Sequence, residues 1–262
     1  DRLPGAVGRR SRRPEMTEIR DLKVGGSVLT DKTRLESARI EEIGRIAAEI
    51  AGCGPGLILV HGAGSFGHFH AERYRLAERF DPEGVLETHR SVVRLNDLVV
   101  EGLRRAGSSP VPVHPLSSVL LKDGRIEAME VGPILEMVKR GLIPVLHGDV
   151  SMDLIRGAAI VSGDQLVSHL ARAVKPGIVA LGTAVDGVIS DGKVLPMVRR
   201  ADISRIASEL GPSAGVDVTG GMGGKMRELL DLAEGGVSSV IFNASRPGLI
   251  ERALRGERVG TL

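Results

Sequence analysis

The chain has 262 residues, 42% of them hydrophobic and 26% charged, the composition of an ordinary globular protein large enough for one α/β domain or two closely joined lobes. No apolar run approaches the roughly 18 residues of a membrane span, and the single cysteine, Cys53, excludes a disulfide framework and a cysteine-built metal site while suiting a reducing compartment, by default the cytoplasm. The formal net charge of +2 originates in residues 1–15, where Arg2, Arg9, Arg10, Arg12 and Arg13 oppose Asp1 and Glu15 for a net of +3 and leave −1 for residues 16–262, so a nucleic-acid partner would belong to that arm alone.

Met16 stands just before the first strand, and residues 1–15 are expected to be a disordered basic leader outside the folded domain. Ile19 to Leu29 reads as an opening strand and turn centred on Lys23-Val-Gly-Gly-Ser27. A lysine at a strand end followed by Gly25 and Gly26 lets backbone N–H groups approach an anion closely while an ammonium neutralises it. Lys32 follows nine residues later. Residues 36–51 carry Ile40, Ile43, Ile46, Ala47 and Ile50 at helical spacing, and the glycines from 52 to 56 stop that helix. Leu57 to Val60 is a four-residue apolar strand that enters His61-Gly-Ala-Gly-Ser-Phe-Gly-His68, completing a βαβ unit with a glycine-rich turn fit to hold phosphate.

Asp81-Pro82 precedes a long helical stretch over 83–105 whose apolar set is too wide for one face, so it is expected to serve the core and an interface or an apolar pocket wall. Pro110 to Val113, Ser118 to Leu121 and Ile126 to Met129 read as short strands, the last two joined by an Asp123-Gly124 hairpin turn. A helix over 133–139 ends near Gly141, and Leu142 to Leu146 is a buried strand that delivers His147-Gly-Asp-Val150 to the same rim. Ala158 to Val161 leads into Ser162-Gly-Asp-Gln165, where a serine opens a helix to about Ala173. Another strand, Pro176 to Leu181, runs into Val185-Asp-Gly187, and a helix is expected over 202–210. A second glycine-rich segment, Asp217-Val-Thr-Gly-Gly-Met-Gly-Gly-Lys225, then feeds a helix through Ala233 and a strand at Val240 to Phe242.

Repeated strand, loop and helix units argue for an α/β fold, an open αβα sandwich with a mainly parallel central sheet. Gly62, Gly64 and Gly67 also spell the dinucleotide fingerprint G-x-G-x-x-G, but no second strand ending in an acidic ribose ligand follows before Pro82, which argues against a nicotinamide site. The segment before Lys225 is not a Walker A loop, since its spacing is one residue short and Met226 replaces the magnesium-binding hydroxyl. Two glycine loops, each joined to a lysine, instead suggest two anionic ligands meeting over one sheet edge, the layout of phosphoryl transfer.

Lys23-Val-Gly-Gly-Ser27, the glycine turn 62–67, Ser162-Gly-Asp164, Val185-Asp-Gly187 and Asp217-Val-Thr-Gly-Gly221 with Lys225 resemble the amino-acid-kinase superfamily from about Leu22 to the C-terminus. Gly64-Ser-Phe-Gly-His68 together with Asp217 to Met222 most resembles its isopentenyl phosphate kinase branch, which serves the archaeal-type mevalonate route. That resemblance implies an acceptor lobe over about 16–170, a nucleotide lobe over about 171–262, ATP with magnesium, isopentenyl phosphate or a similar small phosphorylated substrate, and a homodimer. It implies that Gly25, Gly26 and Ser27 bind ATP phosphates beside Lys23, that Lys32 stabilises the transferring group, and that Gly64 faces ATP. Ala63 and Gly67 would approach the acceptor phosphate, which His68 and Gly163 would contact. Asp164 would orient the lysines, Asp186 would border the nucleotide, and Thr219, Gly220, Gly221 and Lys225 would hold its phosphates. A fosfomycin-type or other small-acid kinase of the same fold, and a non-catalytic nucleotide- or oxyanion-binding module, are the competing readings.

Overall fold

The computed structural model describes residues 18–190, 192–202, 228–229 and 232–262. The basic leader, most of the helix expected over 202–210, and the second glycine segment with Thr219, Gly220, Gly221 and Lys225 lie outside the described residues.

In chain order the strands are β1 (Arg20–Val24), β2 (Leu57–His61), β3 (Pro110–Pro112), β4 (Val119–Lys122), β5 (Arg125–Met129), β6 (Ile143–His147), β7 (Asp149–Asp153), β8 (Gly157–Val161), β9 (Ile178–Thr183), β10 (Ile189–Ser190), β11 (Lys193–Val194) and β12 (Ser239–Asn243). The helices are α1 (Gly26–Leu29), α2 (Ile40–Ala51), α3 (Gly64–Arg73), α4 (Pro82–Arg105), α5 (Pro115–Ser118), α6 (Gly132–Lys139), α7 (Gly163–Val174) and α8 (Leu249–Leu254).

Six strands form one parallel sheet in the order β12-β9-β1-β2-β6-β3. The near-continuous apolar run of β2 follows from burial on both faces: Leu57 and Leu59 enter a cluster with Ile43, Ile46, Leu95 and Phe242, while Ile58 and Val60 enter a second with Leu166, Leu170 and Leu181. Each such leucine or isoleucine contributes about 1.5–3 kcal/mol by leaving water. Helices α2, α4 and α8 supply residues to the first cluster, and α6 and α7 to the second. The αβα layering is therefore as expected. The sheet runs on across residue 170, which itself falls inside α7.

Three local differences from the sequence reading have physical reasons. Residues 26–29 are a helical turn, because Thr30 N–H bonds back to the Gly26 carbonyl at 2.9 Å instead of extending β1. Ile40 is 59% exposed although it shares the spacing of the buried stripe, which begins one turn later at Ile43. The short strands β4, β5, β7 and β8 make a separate four-stranded sheet, since β4 pairs with β7 across about thirty residues of chain, a link with no local signature. The Asp123-Gly124 turn is as expected, with positive φ at both residues (51° and 77°).

Candidate active site

The carboxyl ends of β1 and β2 are adjacent, and each turns on glycine. The two turns touch. A Cβ on Gly26 would lie 2.4 Å from the Gly64 nitrogen, and one on Gly62 would lie 2.5 Å from the Gly26 nitrogen. Gly64 in addition has φ +53°, a conformation that side-chain-bearing residues adopt only at a cost. One hydroxyl ties the turns together, since Thr30 Oγ1 donates to the Gly26 carbonyl at 2.8 Å and accepts the Ser65 N–H at 3.0 Å. What looked in sequence like one long glycine loop is a short turn and the opening of α3, so His68 sits on a helix and not at a loop end.

These turns form one side of a cavity of about 810 Å³. Lys23, Gly25, Gly26, Ser27 and Lys32 line it from the first turn and the segment beyond it, Ala63, Gly64, Gly67 and His68 from α3 and its entry, and Gly163 and Asp164 from the start of α7. Eleven residues singled out from sequence are thus brought to one space. Asp186 is not on that wall; its carboxylate accepts from Asn243 Nδ2 at 2.8 Å and pairs with Arg246 at 2.5 Å, while its neighbours Ala184 and Val185 do line the cavity.

Lys23 is 6% exposed at the end of β1, and its Nζ lies 3.2 Å and 3.4 Å from the two oxygens of Asp164. Asp164 stands in the first turn of α7, where the helix dipole favours a carboxylate, and Ser162 Oγ caps that helix by accepting the Gln165 N–H at 3.2 Å. Asp164 therefore fixes the buried ammonium in position. Lys32 and His68 are both exposed and reach the cavity from different elements.

The apolar part of the wall comes from Phe69, Ala71, Val92, Ile160 and Val161. Phe66, the nearest other aromatic, is 4% exposed and packs into the core instead. Thr88 and Thr183 also line the space and were not singled out from sequence, whereas Gly148 and Asp149 reach it from the His147 to Val150 segment expected at this rim.

Beneath Gly62 and Gly148 lies a histidine cluster that a sequence signal could have revealed: β2 and β6 both end in His-Gly, and His61 and His147 face each other in register. Their rings stack at 5.7 Å. His61 Nε2 meets Asn96 Oδ1 at 3.0 Å, His147 Nε2 meets His114 Nδ1 at 2.9 Å, and His89 Nδ1 meets Asp149 Oδ2 at 2.8 Å. Burial pushes His61 and His147 below the ordinary imidazole value, so both stay uncharged near neutral pH, whereas the hydrogen bond to Asp149 raises His89.

Comparison with known proteins bears on this arrangement. The chain is 41% identical to the isopentenyl phosphate kinase of Methanothermobacter thermautotrophicus over 91% of its own length and 96% of the relative's. Among solved structures it is similar to an isopentenyl phosphate kinase at 36% identity and TM-score 0.80, covering 93% of this chain and 98% of that one. An isopentenyl phosphate kinase substrate complex is similar at 26% identity and TM-score 0.76, covering 94% and 99%. Residues 22–243, from the core of β1 to the end of β12, match the amino acid kinase family, and with the paired glycine turns and the Lys23–Asp164 bridge inside that span the chain belongs to it.

Proposed function

We propose that the protein transfers the γ-phosphoryl group of ATP to isopentenyl phosphate, giving ADP and isopentenyl diphosphate. The observation that carries this reading is the presence of His68, Lys32 and the Lys23–Asp164 pair around one cavity that also has an apolar stretch of wall, formed by Phe69, Ala71, Val92, Ile160 and Val161. The relative and the solved structure that match at 41% and 36% identity, over 91% and 93% of this chain, are isopentenyl phosphate kinases by name.

A phosphate monoester has a second pKa of roughly 6, so its acceptor oxygen is already nucleophilic near neutrality and needs no general base. The difficulty is the approach of two anions, whose repulsion at about 4 Å is on the order of 4 kcal/mol per charge pair at an effective dielectric of 20. Following the family resemblance we assign Gly25, Gly26, Ser27 and Gly64 to the ATP phosphates beside Lys23; Gly26 and Gly64 leave no room for a Cβ where the two turns touch. Ala63, Gly67, His68 and Gly163 are assigned to the acceptor phosphate, and Lys32 to the group in transfer. Asp164 orients Lys23. The resemblance adds Asp186, Thr219, Gly220, Gly221 and Lys225 on the nucleotide side, the last four outside the described residues.

Among the described residues no group of three metal-ligating side chains is placed to hold a metal ion. In this proposal magnesium would accompany ATP and neutralise charge on its phosphates. A homodimer working in the cytoplasm, on an isoprenoid route, belongs to the same proposal; no helix among the described residues is long and apolar enough to cross a membrane.

Measuring ADP release with isopentenyl phosphate, fosfomycin and N-acetylglutamate in parallel tests the assignment. Turnover is expected with isopentenyl phosphate. Preference for fosfomycin or a carboxylate would replace the acceptor, and ATP binding without turnover on any of them would favour a binding module.

A further inference from the structure

The segment between α1 and α2 carries Lys32 and is held at both ends. At one end is Thr30, bonded to Gly26 and to Ser65 of α3. At the other is Glu36, a non-glycine residue with φ +49°. The segment closes on itself through Asp31 N–H to the Ser37 carbonyl at 2.9 Å and Arg39 N–H to the Leu29 carbonyl at 2.7 Å, forming a strap with Lys32 near its tip.

Glu36 makes more bonds than a strap needs to hold its own shape. Its carboxylate accepts from His70 Nε2 at 2.9 Å, from Ser91 Oγ at 2.9 Å and from Arg94 Nε at 3.0 Å, with a further contact from Arg94 Nη2. Its own N–H donates to the Ser65 carbonyl at 3.4 Å, and Ser37 N–H donates to Ser65 Oγ at 3.2 Å. His70 lies two positions after His68 on α3. At about 100° per residue those two side chains leave the helix on nearly opposite sides, one to the cavity and one to the strap. Burial would raise the Glu36 carboxyl, but the bonds from Arg94, His70 and Ser91 hold it down to about 2, so it remains an anion throughout the working range.

We propose that Glu36 is a positioning residue that pins the Lys32 strap to α3 and α4, and so sets the separation of Lys32 and His68 across the cavity. It touches neither substrate and acts through Lys32. This inference rests on the proposed phosphoryl transfer for the role of Lys32, while the geometry of the strap is independent of the acceptor.

The test is Glu36→Gln, close in shape but uncharged, made in the wild-type and Lys32→Ala backgrounds. A displacement of about 1 Å at a reacting group costs roughly 10²-fold, so kcat is expected to fall about 10- to 100-fold. The KM for each substrate should move less than about threefold, because the binding groups stay in place. In the Lys32→Ala background the same change should lower kcat less than about threefold further, as for two residues acting as a unit. Equal losses in both backgrounds, or full activity of Glu36→Gln, would overturn the proposal. Amide hydrogen exchange gives a readout free of turnover: residues 31–37 should exchange at least about 10-fold faster in Glu36→Gln while β2 is unchanged. Unaltered exchange in the strap would also overturn it. A wild-type protein that uses another acceptor would sink the isopentenyl phosphate assignment, and the strap would then be judged with that acceptor and by exchange.

Discussion

Gly26→Ala adds one methyl group at the point where the two glycine turns touch. Its carbon would lie 2.4 Å from the Gly64 nitrogen, 2.6 Å from the Gly64 Cα and 3.2 Å from the Gly62 carbonyl carbon. Ordinary contact begins near 3.4 Å, so the turns must separate by about 1 Å, and the atoms met are backbone atoms that cannot rotate away. Overpacking of this kind costs about 1–3 kcal/mol in stability. A displacement of about 1 Å between the turns proposed to hold the two phosphates is worth roughly 10²-fold in rate. Gly44→Ala supplies the control. Gly44 lies inside α2, is exposed, and a Cβ there meets nothing within 4 Å, so the same chemical change should stabilise by about 0.5–1 kcal/mol through helix propensity and leave turnover unaltered. Urea unfolding and ADP release on both variants make the comparison. If Gly26→Ala keeps wild-type kcat and stability, the two turns are not in the contact described and the cradle argument fails.

His68→Ala is expected to lower kcat with isopentenyl phosphate by roughly 10²-fold or more, as for loss of a donor to developing charge, and a folded variant with unchanged turnover would remove His68 from the acceptor site. Lys32→Ala should reduce kcat with ATP affinity largely kept; loss of ATP binding alone, seen by calorimetry, would contradict its placement at the transferring group. Asp21 is 1% exposed in β1, neither carboxylate oxygen has a hydrogen-bond partner among the described residues, and burial raises its pKa well above the ordinary value. The native state therefore holds a proton that the unfolded chain releases near pH 4, so this group's contribution is fully present below that value and is lost as pH rises toward its folded pKa. Asp21→Asn should remove that loss, so its stability relative to wild type should grow with pH above about 4; a pH-independent difference would refute the neutral Asp21.

Much of the sheet was legible because its signals are local. Leu57 to Val60 is buried on both faces and is apolar throughout, and the glycines that follow β1 and β2 are required by contact between their backbones. The same chain hides whatever depends on distant partners. Glu36 binds residues 34, 55 and 58 positions away, and nothing in its neighbourhood distinguishes it from a solvated surface glutamate. The separate four-stranded sheet rests on the β4–β7 pairing, which two short strands far apart do not announce. Asp21 breaks the apolar pattern of β1, yet sequence alone does not say that its carboxyl is enclosed without a bond. The His-Gly endings of β2 and β6 were visible, but only their register turns two strand ends into one stacked pair.

The two lysines that line the cavity among the described residues differ in burial and in what holds them. Lys23 is nearly enclosed and its charge lies 3.2 Å from Asp164, so it is fixed in place and largely compensated before any phosphate arrives. Such a group can anchor a resting nucleotide, but it cannot follow charge that moves toward the acceptor. Lys32 is exposed at the tip of a strap whose two ends are bonded to α3, the helix that carries His68. Its position is therefore referenced to the helix that the proposal assigns to the acceptor, although its strap begins at the turn that the proposal assigns to ATP. Stabilisation that grows as the phosphoryl group crosses raises kcat, whereas stabilisation present equally before and after lowers KM. On that ground the proposed function places Lys23 chiefly with nucleotide binding and Lys32 with the transfer step.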